Sequence, residues 1–128
     1  MCIRDRYNLD YYKNKIKQIR SIRPDISIST DIIVGFPGED EKLFEQTLKT
    51  AQSIAFSKIH VFPYSIRKNT KAASMPNQVD GKIKKERAKR LIELSKELEI
   101  EYMNKFVGKT VEVLTAVSYT HLTLPTKA

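Results

Sequence analysis

Residues 29–40 read STDIIVGFPGED, and this stretch decides the fold. Thr30, Ile32, Ile33 and Val34 are β-branched and suit a strand. Ile32-Ile33-Val34 is continuously apolar, the pattern of a strand covered on both faces. At Gly35-Phe36-Pro37-Gly38 the backbone must turn: glycine admits positive φ and close approach of a neighbour, and Pro37 fixes one φ and withholds a donor. Glu39, Asp40 and Glu41 then suit a helix N-terminus. Strand, turn and helix in this order form the unit of parallel α/β folds, which carry their chemistry at the carboxyl ends of strands.

The flanking segments repeat the unit. Residues 8–22 read as a helix, with Asn8 as its cap and Asp10 in its first turn. Tyr12, Ile16 and Ile19 form its apolar stripe, and Pro24 stops it by steering Arg23 away from helical angles. The second helix starts near Asp40, with Phe44, Leu48, Ala51 and Ala55 on one face. A second strand follows within FSKIHVFPYS, residues 56–65. Helix, strand, helix, strand with connections of this length favours a parallel sheet with crossover helices. Residues 66–81 carry no period and read as a long loop. A long helix spans about 80–105, with Leu91, Leu94, Leu98 and Tyr102 as its stripe. KTVEVL at 109–114 reads as the start of a strand.

Composition bounds the function. The chain has 128 residues, is 41% apolar and 30% charged, as in a globular protein. No apolar run reaches the roughly 18 residues of a membrane helix. Cys2 is the single cysteine, which excludes an internal disulfide framework and fits a reducing, cytoplasmic setting. The formal charge of +8 favours a polyanionic partner. MCIRDR at the start and VSYTHLTLPTKA at the finish resemble translated adapter sequence, and neither continues its neighbour's period. Setting aside residues 1–6 and 117–128 leaves 20 basic against 14 acidic side chains, or +6, so the basic excess persists.

Candidate site residues gather at the two strand ends. The acids at 39–41 would repel a phosphate, and no Gly-Lys-Ser/Thr is present, so the first turn is not a P-loop; it serves either a ligand or merely the link from strand to helix. Asp31 either binds a cofactor hydroxyl or caps a loop. The second strand end offers Pro63, Tyr64, Ser65 and Arg67: aromatic and proline surfaces that pack an adenine, and a guanidinium that meets a carboxylate or phosphate. His60 reads as a packed histidine rather than a metal ligand. Lys82, Lys85 and Lys89 line one side of the long helix, a geometry that tracks a phosphate backbone when it is not simply a solvated face.

ISTDIIVGFPGED followed by FSKIHVFPYSIRKNTKAASMPNQV and KKERAKRLIELS resembles the radical-SAM methylthiotransferases, most closely the branch that methylthiolates threonylcarbamoyladenosine beside the tRNA anticodon. The resemblance runs from about Tyr7 to Leu114. It implies an α/β fold: residues 7–79 as the C-terminal part of a partial (β/α)6 radical-SAM barrel, 80–107 as a linking helix, and 108–116 as the first strand of an RNA-binding β-barrel domain. It implies S-adenosylmethionine and two 4Fe-4S clusters in a full-length enzyme, with the cluster cysteines outside this chain and the isolated chain inactive. The partner is tRNA, with no membrane and a monomer expected at full length. Gly35, Pro37, Gly38 and Glu39 match the family's fifth-strand turn, and Val61, Phe62 and Pro63 its sixth strand, both near the cofactor; Asp31 joins them as a candidate cofactor residue. Arg67, Lys82, Lys85 and Lys89 are the expected nucleic-acid contacts. The loop departs from the family pattern at Ile66 and Lys71, where proline is common, and at Asn69, where glycine is common. Three alternatives stand beside this reading: another branch, acting on isopentenyladenosine tRNA or a ribosomal protein; a non-catalytic RNA-binding module using the basic helix; and an unrelated βα-barrel piece whose turn binds something else.

Overall fold

A computed structural model of the chain describes residues 8–114. The adapter-like ends and Cys2 lie outside the described residues.

Three helices and two strands alternate: α1 (Leu9–Ile22), β1 (Ser29–Val34), α2 (Glu41–Ile54), β2 (Lys58–Pro63) and α3 (Gly81–Asn104). Local chemistry sets the boundaries. The Asn8 side chain accepts from the Tyr11 N–H at 2.9 Å, and Arg23, extended before Pro24, closes α1. Asp40 caps α2 through the Leu43 N–H at 2.7 Å. Ala55, in left-handed conformation at φ 55°, ends α2 and so lies beyond the helix whose stripe it was expected to share. Arg20 of α1 donates to the carbonyls of Ile54 and Ala55, where the C-terminal end of α2 favours a cation.

The strands pair in parallel, with Ser29 opposite Lys58 and Val34 opposite Pro63. This register puts Ile32 and Ile59 on the face that meets the helices, where they pack with Phe44, Ala51 and Ile54 of α2 and Ala88, Leu91 and Leu98 of α3. Val34, Phe44 and Leu91 are fully buried. The buried Ser95 hydroxyl accepts from the Ile59 N–H at 3.0 Å and donates to the Ile59 carbonyl at 3.1 Å. One side chain of α3 thereby satisfies both backbone groups of Ile59 on the outer edge of β2.

Several expectations are corrected. Ile33 is 51% exposed, so β1 is covered on one face among the described residues, not two: α2, which crosses from β1 to β2, and α3, which follows β2, pack in one core on the same side. His60, opposite Asp31, shares that open face and is exposed rather than packed. Ile19 is also exposed, one position out of line with Ile16. Residues 66–81 are not structureless, since Lys71–Ser74 form a 3-10 turn capped by Thr70. Residues 109–114 form no strand, because a strand needs a partner and no strand among the described residues pairs with them. The fold is α/β with a two-stranded parallel sheet, which by itself closes no barrel. Among the described residues no helix is long and apolar enough to cross a membrane.

Candidate functional site

Both strand tips finish side by side. The Tyr64 N–H donates to the Val34 carbonyl at 2.8 Å, and the Phe36 and Tyr64 rings meet edge to face at 5.3 Å. A groove of about 650 Å³ opens on the uncovered sheet face, lined by Asp31, Ile33, Phe62, Pro63, Tyr64, Ser65, Arg67, Thr70 and Ala72. Its floor follows from the register: Ile33 lies opposite Phe62, and Asp31 opposite His60. Strand alternation sends these four side chains away from the helices. The wall comes from the loop after β2. Asn69 takes the left-handed conformation at φ 64°, supplying the angle that glycine commonly supplies there. Thr70 donates to the Arg67 carbonyl at 2.8 Å, and Gln78 donates to the carbonyls of Ala72 and Met75. These bonds hold the loop without the prolines that positions 66 and 71 lack.

The Gly35–Gly38 turn is organised inward. Gly35 stands at φ +71° and donates its N–H to Glu39 Oε1 at 2.9 Å. Gly38 N–H donates to the Asn77 carbonyl, and Glu39 N–H to the Phe36 carbonyl, both at 2.9 Å. Arg87 Nη1 reaches Glu39 Oε1 at 2.8 Å and the Glu39 carbonyl at 2.9 Å, forming an ion pair with both side chains almost wholly buried. Arg90 bonds Glu41 at 2.6 Å and also Glu45, and Arg87 lies 3.5 Å from Glu41. Both guanidinium groups sit over the Phe44 ring, at 5.5 and 5.0 Å. The hydrogen bond from Arg90 holds the Glu41 carboxyl below the usual carboxylate range. Of the acids expected to crowd this helix start, Glu39 and Glu41 are thus matched by two arginines of α3, while Asp40 serves as the cap.

Of the predicted cofactor residues, the structure brings Asp31, Phe62 and Pro63 into the groove together with Arg67. Val61 faces the helices and is half-buried, so it does not line the groove. Gly35 and Pro37 are buried. Gly38 and Glu39 line a separate crevice of about 570 Å³ with Asn77, Asp80 and Arg87. Lys82, Lys85 and Lys89 are exposed on α3, away from its buried stripe, and Lys89 approaches Glu93 at 4.0 Å. Three participants are not singled out by the sequence pattern. Lys84 lies across Gly35 with its Nζ 5.1 Å from the Tyr64 ring. Arg87 and Arg90 belong by composition to the basic cluster that opens α3, yet both turn toward acids of the preceding helix. The signal for Arg87 is its place four residues before Leu91, on the apolar stripe itself.

No protein-family model matches the chain. Curated relatives do. It is 47% identical over 109 residues to the tRNA-2-methylthio-N(6)-dimethylallyladenosine synthase of Thermoanaerobacter pseudethanolicus, covering 85% of this chain and 23% of that protein. It is 44% identical over 108 residues to the enzyme of the same name from Caldicellulosiruptor saccharolyticus, covering 84% and 23%. It is 38% identical over 112 residues to the threonylcarbamoyladenosine tRNA methylthiotransferase of Bacillus subtilis, covering 88% and 25%. The chain is a homologue of a segment of the tRNA methylthiotransferases. It spans about a quarter of the length of the relatives it matches.

Proposed function

We propose that the chain is the part of a radical-SAM tRNA methylthiotransferase that completes the cofactor groove and passes into the tRNA-docking helix. The observation that carries this is the 38–47% identity to such enzymes over most of the chain. The residues at the groove fit the nucleoside part of S-adenosylmethionine. Ile33 and Phe62 give a flat apolar floor for a purine ring. Asp31 stands beside them with a carboxylate that takes hydrogen bonds from ribose hydroxyls. The Tyr64 hydroxyl, buried at the wall, has no partner among the described residues and can bond a ligand group. Arg67 at the rim meets a carboxylate or phosphate. Held by these residues, S-adenosylmethionine would supply the hydrogen-abstracting chemistry that precedes sulfur insertion, given one electron from a reduced iron–sulfur cluster held elsewhere in such an enzyme. Gly35, Pro37, Gly38 and Glu39 shape the strand tip, and Val61 contributes backbone. The two 4Fe-4S clusters do not fit the described residues, which hold no cysteine, so no step is assigned to them and the isolated chain is expected to be inactive.

In this reading tRNA lies along Lys82, Lys85 and Lys89, and the protein works in the cytoplasm. The segments FSKIHVFPYS, AASMPNQV and KKERAKRLIELS favour threonylcarbamoyladenosine as the modified base. The higher identity to dimethylallyladenosine synthases, 44–47% against 38%, favours a second reading with that base. Expressing the complete gene in a strain without either methylthio modification, then analysing tRNA nucleosides by mass spectrometry, decides between them. A methylthiolated threonylcarbamoyladenosine supports the first, a methylthiolated dimethylallyladenosine the second, and neither product overturns both.

A further inference from the structure

Helix α3 does more than cover the sheet, because it holds the strand-tip turn by two side chains three positions apart. Arg87 is 5% exposed and bonds both the carboxylate and the carbonyl of Glu39. The same Glu39 oxygen accepts the Gly35 N–H. The residue before Gly35, Val34, accepts the Tyr64 N–H, and the residue after it, Phe36, packs on the Tyr64 ring. Lys84 lies against Gly35 and over the outer side of Tyr64. Tyr64 is a wall of the groove, and its buried hydroxyl is unpartnered among the described residues. Touching groups therefore run without a break from α3 through Glu39 and the turn to the groove.

The choice of a buried ion pair for this link is informative. Apolar side chains of similar volume would hold two elements together equally well or better, whereas loss of one charge strands the other. What the pair adds over apolar packing is direction: a guanidinium bonded at once to a carboxylate and a carbonyl admits one placement of the turn. We infer that Arg87 is a positioning residue, which through Glu39 fixes the Gly35–Gly38 turn and thereby the Tyr64 wall of the groove. This deepens the nucleoside reading above and rests on it only for the identity of the ligand.

The test compares the full chain with Arg87→Met and with Arg87→Met/Glu39→Gln. The double variant removes both charges yet keeps an acceptor for the Gly35 N–H. Three measurements are made: the urea midpoint, hydrogen–deuterium exchange at residues 35–39 and 64, and calorimetric titration with S-adenosylmethionine. The single variant loses stability, and the double variant regains most of it. The double variant still exchanges about tenfold faster at the turn and at Tyr64 and binds S-adenosylmethionine about threefold to tenfold more weakly. A double variant that recovers both stability and native exchange overturns the inference, since Arg87 would then serve packing alone. Faster exchange in the double variant, with no S-adenosylmethionine binding by the parent chain, upholds the positioning role and overturns the nucleoside reading instead.

Discussion

Replacing Gly35 by alanine separates two costs that glycine avoids. The first is conformational. Gly35 stands at φ +71°, and an L-residue held in the left-handed region costs about 1–2 kcal/mol. The second is steric. An added Cβ would lie 2.4 Å from Lys84 Cγ, 3.1 Å from its Cδ and 3.3 Å from its Cβ, well inside the roughly 3.5–4.0 Å optimum for carbon pairs. Because the clash is with the stem of Lys84 and not its tip, the side chain must leave its place over Tyr64. Overpacking of this kind costs about 1–3 kcal/mol. Gly35→Ala is therefore expected to destabilise the chain by about 2–5 kcal/mol in all, and Lys84→Ala by about 0.5–1 kcal/mol through its cation–π interaction. The double variant recovers the steric share, so the coupling between the two sites is about 1–3 kcal/mol. Urea unfolding of the full chain, followed by far-ultraviolet circular dichroism, reads this as a midpoint about 1–3 M lower for Gly35→Ala. If the two substitutions add to within about 0.5 kcal/mol, the packing of Lys84 on the turn plays no energetic part and the reasoning fails.

Three further outcomes are expected. Glu41 is held below its ordinary value of 4.5 by the hydrogen bond from Arg90, so its contribution is complete above that value and is lost as pH falls through the lower folded value; Glu41→Gln should lower the urea midpoint at neutral pH and flatten its acid limb below about pH 4.5, so that variant and parent converge in acid. Charge reversal at Lys82, Lys85 and Lys89 should weaken tRNA binding and flatten its log–log salt slope by about 0.7–0.9 for each phosphate no longer neutralised; an unchanged slope in filter binding removes these lysines from the interface. Asp31→Asn keeps shape and removes charge, so S-adenosylmethionine binding should weaken about tenfold by calorimetry, and an unaltered affinity puts the ribose elsewhere.

Much of this architecture is legible in the sequence because it is local. Asn8 and Asp40 cap the helices they precede, and the stripe Leu91, Leu94, Leu98 and Tyr102 is the buried side of α3. The adjacency of the strand tips follows from parallel topology. What stays hidden depends on which side of an element another element occupies. Ile32-Ile33-Val34 has the composition of a doubly covered strand, and composition cannot report that both helices lie on one face. The basic residues opening α3 form one group on paper. Their angular positions divide them: Lys82, Lys85 and Lys89 point to solvent, Lys84 folds over the turn, and Arg87 and Arg90 face the acids of residues 39–45. Those acids look unbalanced when a helix start is taken in isolation, because their partners lie more than forty residues away.

The same division of faces suits the groove, in the proposed function, to a polar ligand rather than to another apolar element. A close-packed face would present apolar side chains in alternation, as Ile32 and Val34 do toward the helices. The opposite face sets Ile33 and Phe62, each about half exposed, beside Asp31 and His60. A carboxylate buried there against apolar packing would lose its hydration with no compensating bond, so such packing is disfavoured wherever Asp31 is ionised. A ligand with a flat apolar body and hydroxyl groups at one end avoids that cost: its body covers Ile33 and Phe62 while its hydroxyls replace the water on Asp31. A nucleoside has this shape and this order of groups, which is the physical ground for proposing it as the ligand.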